Sequence, residues 1–225
     1  MQKYEIITDQ EDENYGHIKA LTDFGDVKKG DIGGKIAHYS NLSQEGDCWV
    51  YGNAQVKDEA QVSGDAKLFD NAEVYDNAKI YHSAKVYGNA CVFDNAIVSG
   101  NAKVYDEAAV YDEAVVCGNV KVYGNATVCD NAKVCGSSAE VYDDAKVYDE
   151  AKVSGNAKVS GNAVVCDEAI VYGNAKIYNY AKIYDNAIVC DNAEVYDNAK
   201  IYDKAKVCGN DKVYGNSKIG DNTEE

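Results

Sequence analysis

From Val50 onward, small or branched apolar residues alternate with polar and aromatic ones, and the alternation repeats every six positions. In the stretch AKVY, Ala and Val fall on one side of an extended chain and Lys and Tyr on the other. Side chains along a strand point to opposite faces in turn. The pair that follows is usually Gly-Asn or Asp-Asn, and such residues accept the left-handed backbone of a tight corner. A helix does not fit this pattern. A residue recurring every sixth position walks round a helix instead of marking one stripe. A Gly or Asn in nearly every repeat would also cost helix stability each time. Each hexad is therefore predicted to be a short strand and a corner, with Ala and Val inward and Lys and Tyr outward.

One hexad cannot bury its apolar side alone, so the copies must stack. If three hexads make one turn, residues 18 apart share an environment. The corners test this. One reads Asp58, Asp76, Asp94, Asp112 and Asp130. It continues, after a hexad one residue too long (CGSSAE), as Asp149, Asp167, Asp185, Asp203 and Asp221. The next corner is mostly Gly, at 64, 100, 118, 136, 155, 173 and 209, and the third is mixed. This segregation predicts three-sided coils with a one-residue bulge near Ser137 and Ser138. About ten coils at strand spacing make a rod roughly 45–50 Å long. Residues 1–48 do not repeat cleanly. They are expected to cap the rod, with Leu42 and Trp49 over its apolar end and residues 49–225 forming the solenoid. Parallel coils leave an open edge at each end, and the tail Asn222, Thr223, Glu224 and Glu225 places charge at one of them.

The hexads, and IGDNTE from Ile219 to Glu224 in particular, resemble the hexapeptide-repeat family, whose pattern is an aliphatic residue, often Gly, two variable residues and a small residue. The resemblance implies an all-β fold, a single-stranded parallel left-handed β-helix with triangular coils. Tyr, Cys or Ser stands where the family often has Gly, but that position points outward. Cap and solenoid together look like uncharacterised bacterial and phage proteins regarded as hexapeptide-repeat transferases, a likeness that brings no established activity. The family's acyltransferases use a His as general base in a cleft between subunits, commonly beside a loop extruded from the coil. Here His17 and His38 lie in the cap, and His82 is the sole candidate within the repeats. No long loop interrupts the coils to build an acyl-donor pocket. Nucleotide-loop, GxSxG and HExxH motifs are absent. The expectation is a chain that is not an enzyme and carries no cofactor; acyl transfer is the reaction the resemblance would imply.

Composition narrows the partners. The formal charge is −16, and Lys supplies all 22 basic residues, leaving no Arg. An acidic chain without Arg is a poor match for nucleic acid or an acidic membrane surface. No apolar run approaches the roughly 20 residues of a membrane span. The N-terminus lacks the blocks of a signal peptide, so a cytoplasmic location is expected. There the eight Cys would stay reduced and fill space as small residues, although pairs on adjacent coils come near disulfide distance.

The 18-residue register then lays out the outer surface. One face pairs Lys85, Lys103 and Lys121 with Tyr87, Tyr105 and Tyr123, a run that extends to Lys67, Lys158, Lys176 and Lys212 and to Phe69, Tyr142, Tyr178, Tyr196 and Tyr214. It reads either as a binding surface for an anionic or extended partner or as stacking that stabilises the coils. A second face carries Ile97, Val115, Ile170 and Ile188 where other coils have Lys or Gln, flanked by Cys117, Cys135, Cys190 and Cys208. Grouped outward branched residues suggest an interface. The Asp corner offers candidate calcium ligands at Asp76, Asp94, Asp112 and Asp130, or an acidic stripe imitating a nucleic-acid backbone. Its simplest reading is that the carboxylates accept corner N–H groups. The sequence thus points to a non-catalytic structural or protein-interaction module acting through flat faces, whose partner is itself, as a homo-oligomer, or another protein. The alternatives are a hexapeptide-type acyltransferase, or an acidic mimic such as a phage-encoded inhibitor of a basic protein.

Overall fold

The computed structural model describes residues 2–8 and 15–221; the acidic tail lies outside the described residues. Within them the chain is all-β apart from one short 3₁₀ turn, Tyr39–Asn41. Three sheets form the sides of a β-solenoid, with 13, ten and nine strands among the described residues, parallel throughout except for the antiparallel N-terminal strands of the first. Most strands are two residues long, an outer residue followed by a buried Val, Ile or Leu. Register is held at 18 residues per coil: Lys85 lies beside Lys103, Cys91 beside Ala109 and Ile97 beside Val115. Amides donate along the rod axis to the next coil, as from Tyr87 N–H to the Val104 carbonyl at 3.0 Å.

The interior is the predicted column. Ala84, Val86, Ala102, Val104 and Val122 are all fully buried, and the same holds for nearly every inward position. Burying one such Val is worth about 1.5–3 kcal/mol, and only stacking supplies it, since a single coil would leave both its flat sides wet. The extra residue falls where the long hexad placed it. Lys121 pairs with Glu140, a separation of 19, and register resumes at 18 from Glu140 to Lys158. Ser137 Oγ donates to Asn156 Oδ1 at 2.9 Å, tying the bulge to the next coil.

The N-terminal strands are β1 (Tyr4–Thr8), β2 (Gly16–Ala20) and β3 (Ile32–Ile36), antiparallel to one another in that order. β3 then joins the 13-stranded sheet in parallel, through Ile36 and Val56. Leu42 bridges Val62, and β4 (Trp49–Val50) pairs with Lys67 and Leu68. β3, Leu42 and β4 therefore already make one coil, from a stretch whose sequence lacks the hexad. Leu42 and Trp49 are buried there. Tyr4 Oη donates to the Leu42 carbonyl at 2.6 Å, and Trp49 packs edge-on to Phe24 at 5.4 Å. Lys3 is also buried, and its ammonium donates to the Gly46 and Cys48 carbonyls at 3.1 Å each, which is how a buried cation is made tolerable.

Candidate functional site

The corners come first, because they set what the faces present. Every Asp from Asp58 to Asp203 in the Asp column has a positive φ, between 50° and 56°. Asp and Asn visit this region more readily than other L-residues because the side chain bonds locally. Here the bond runs along the rod. The Asp76, Asp94, Asp112 and Asp130 amides each donate to the carboxylate of the Asp one coil earlier, at 3.3–3.4 Å. The column continues from Asp149 to Asp203 at 3.1–3.3 Å. The carboxylates thus act as acceptors for corner amides, and this hydrogen bonding accounts for the unbroken Asp column. Asp70, Asp106, Asp143 and Asp197 do the same at another corner for Gly88, Gly124, Gly161 and Gly215.

Two thiols join the Asp column. Cys129 Sγ lies 3.4 Å from Asp130 Oδ2 and Cys166 Sγ 3.5 Å from Asp167 Oδ2, in clusters completed by Asp112 and Asp149. Burial, with the neighbouring carboxylates acting in the same direction, pushes both thiols up to about 11. They are protonated donors at neutral pH, a poor state for a nucleophile or a metal ligand.

The ten-stranded sheet carries the aromatic run. Tyr87, Tyr105, Tyr123 and Tyr142 stack continuously, with centroids 4.7–4.9 Å apart and planes within 4° of parallel. Tyr178, Tyr196 and Tyr214 form a second stack at 4.8 and 5.4 Å. Tyr51 and Phe69 form a third, at 4.6 Å, where the Tyr51 hydroxyl donates to Asp26 at 2.8 Å and Lys67 also pairs with Asp26. Burial and the Glu140 carboxylate push the Tyr123 phenol up to about 12, so this ring is neutral at ordinary pH.

Beside the rings, the lysine run is not continuous. Glu140 and Glu194 occupy two of its positions and each binds two lysines. Glu140 holds Lys121 at 3.0 Å and Lys158 at 2.9 Å; Glu194 holds Lys176 and Lys212, both at 3.0 Å. Burial alone would raise the Glu140 carboxyl, but the two ammonium groups outweigh it and hold it below the usual carboxylate range. Both acids are visible in the sequence once the 18-residue register is applied to every coil, including those that do not carry Lys.

On the nine-stranded sheet, Ile97 lies beside Val115 and Ile170 beside Ile188, half-buried on the outer side. The flanking cysteines differ from the expectation of reduced, space-filling thiols. Cys117 is bonded to Cys135 and Cys190 to Cys208, each pair with Cα atoms 4.6 Å apart. The reason is register: two Cys in one column on adjacent coils are held at bonding distance by the sheet itself. Cys48, Cys91, Cys129 and Cys166 are free. His82 sits at a corner with φ +58°, its ring edge-on to Tyr81 at 4.8 Å. It occupies a turn position and is not brought to any of the faces' charged clusters.

Comparison with known proteins adds one match. The family described as YdcK Beta solenoid repeat matches residues 84–100, just under one coil. No curated protein matches the chain. Among the described residues no helix is long and apolar enough to cross a membrane.

Proposed function

We propose that the chain is a non-catalytic structural or protein-interaction module that works through the outer faces of its solenoid and associates with copies of itself. The observation that carries this reading is the pairing of Ile97 with Val115 and of Ile170 with Ile188 on the outside of one sheet. Neighbouring coils use Lys79, Lys133, Lys152 and Lys206 at the same position. Replacing a solvated ammonium by a branched apolar group in two adjacent coils, twice, favours contact with another surface. Tyr172, 37% exposed, follows Ile170 on the same face and enlarges the second patch. A flat sheet side also suits association, since its shape repeats along the rod and needs no loop to be ordered.

The test is the native mass of the protein and of an Ile97→Lys, Ile170→Lys double variant. Both positions are half-buried and face outward, so the variant restores the residue type of neighbouring coils and should fold. The expected result is an oligomer for the parent chain and a lower mass for the variant. An oligomer of unchanged mass would remove this face from the interface, and a monomeric parent would remove self-association.

A further inference from the structure

The aromatic run on the ten-stranded sheet has one rung missing. Position 160 is Ser, with Tyr142 one coil before it and Tyr178 one coil after. The register is continuous, since Val141 pairs with Val159 and Val159 with Ile177. Two strand spacings separate the flanking rings, roughly 9.6 Å. Neither ring is free to lean in. Tyr142 is stacked on Tyr123 within 4° of parallel and Tyr178 on Tyr196 within 5°. The result is a cleft of about 240 Å³ with a phenol wall on each side and Ser160 and Gly161 at its floor. Ser160 is only 8% exposed, so the floor lies deep between the walls.

The surroundings of the cleft are electrostatically unlike the rest of this acidic chain. Lys158 and Lys176 are adjacent in register and both line it. Each is drawn toward a Glu on its far side, Lys158 to Glu140 and Lys176 to Glu194. Those carboxylates are shared with Lys121 and Lys212, so each cluster of two Lys and one Glu carries net positive charge. The two clusters meet at the cleft. The neighbouring corner carries Asp143 and Asp144: Asp143 lines the cleft with its carboxylate already accepting the Gly161 amide at 3.1 Å, and Asp144 accepts from Asn125 Nδ2 at 3.0 Å, one coil away from the cleft. Across the cleft the equivalent corner residue is the neutral Asn179.

We propose that this cleft binds a planar aromatic ring bearing an anionic substituent. The ring takes the place of the missing rung, in offset stacking with Tyr142 and Tyr178 at the 4.8–4.9 Å spacing of the stacked pairs on either side. The anion lies at the Lys158 and Lys176 edge, between the two Lys-Glu-Lys clusters that each carry net positive charge. The other gaps on the outer surface do not offer this arrangement. At Cys129 and Cys166, which interrupt the aromatic column of the 13-stranded sheet, the space is taken by a thiol packed against Asp130 or Asp167. This inference is independent of self-association through the nine-stranded sheet.

The probe is 4-hydroxybenzoate, compared with p-cresol and cyclohexanecarboxylate, read by saturation-transfer NMR and titration on the intact protein. Saturable binding of 4-hydroxybenzoate is expected, with a dissociation constant on the order of a millimolar for so small a ligand. The neutral phenol should bind about threefold more weakly, as loss of one exposed charge contact implies. Two variants bracket the cleft. Ser160→Tyr supplies the missing rung; it should abolish binding while its urea midpoint equals or exceeds that of the parent. Ser160→Ala keeps the gap and should bind as the parent does. Absence of saturable binding overturns the proposal. So does binding by Ser160→Tyr at parental strength, or cyclohexanecarboxylate binding as tightly as the planar anion.

Discussion

Stacked tyrosines are expected to stabilise the rod in proportion to the number of neighbours each has, and two positions in one run separate this from burial. Tyr123 lies between Tyr105 and Tyr142, at 4.9 Å from each. Tyr87 stacks on Tyr105 at 4.7 Å but not on Phe69, which stacks on Tyr51 instead. Both residues follow a Lys-Val strand, both are half-buried, and both lie well inside the rod. An aromatic pair contributes about 0.5–1.5 kcal/mol beyond its buried area. Tyr123→Ala removes two such pairs and Tyr87→Ala one. The area term and the local strand preference are common to both and cancel in the comparison. Tyr123→Ala should therefore be the more destabilising by about 0.5–1.5 kcal/mol, or a melting difference of a few degrees at about 2–4 °C per kcal/mol for a chain of this size. Urea denaturation followed by far-UV circular dichroism reads the difference. Repeating Tyr123→Ala in a Tyr105→Ala background should bring its cost down to that of a single pair. Equal costs for Tyr87→Ala and Tyr123→Ala, within about 0.3 kcal/mol, would refute the neighbour-counting argument and leave the rings as ordinary half-buried strand residues.

The cysteines and the half-buried Glu140 carry two more measurable effects. Denatured, unreduced protein should titrate four thiols and reduced protein eight, because four of the eight cysteines are bridged in two pairs; eight thiols without reductant would remove the bridges. Each bridge closes a separation of 18 residues, and loss of one should lower stability by up to about 3 kcal/mol through the entropy of the unfolded chain. Glu140, 13% exposed between two lysines, has a folded pKa below its unfolded value. Its stabilisation is thus present above the unfolded carboxylate pKa and is lost as pH falls through the folded one. Glu140→Gln should cost about 1 kcal/mol near neutral pH and little in acid, where parent and variant converge; a cost that does not change with pH would mean the ion pairs contribute nothing.

The hexad made most of the fold legible, because one pattern carries strand, corner and core together. The unbroken Asp column and the Gly column gave three sides per coil, and the long hexad at CGSSAE gave the bulge where the register does shift. The hand of the coil was different in kind: it came from the resemblance, since an alternating pattern reads the same in either hand. Residues 32–50 were not legible as a coil. Their outer and inner positions are set by contacts from elsewhere in the chain, such as Tyr4 Oη on the Leu42 carbonyl and Phe24 against Trp49. The disulfides were visible as register-matched pairs and were set aside on an argument about compartment, which concerns the surroundings of the chain and not its geometry. The Glu of the lysine run and the Ser of the tyrosine run were in plain view. They emerge only when each column is read for its exceptions as closely as for its rule.

The exceptions also bear on the proposed self-association. Ala fills the inward corner position coil after coil, from Ala54 to Ala205 with Val120 as a variant, and all of these are buried. The same position is Asp at 211 and Ser at 217, and both are exposed. Their carbonyls still serve the sheet, accepting from the Glu194 and Lys200 amides at 2.9 Å, so the backbone keeps its path while the side chains change character. A further coil laid over Asp211 would bury a carboxylate in a column of Ala and Val, at a cost of several kcal/mol unless it were paired. Asp211 therefore disfavours stacking of another coil against it, whereas Ile97, Val115, Ile170 and Ile188 place apolar groups on a side. For the proposed self-association, these exceptions disfavour coil-on-coil stacking at Asp211 and favour a side of the rod.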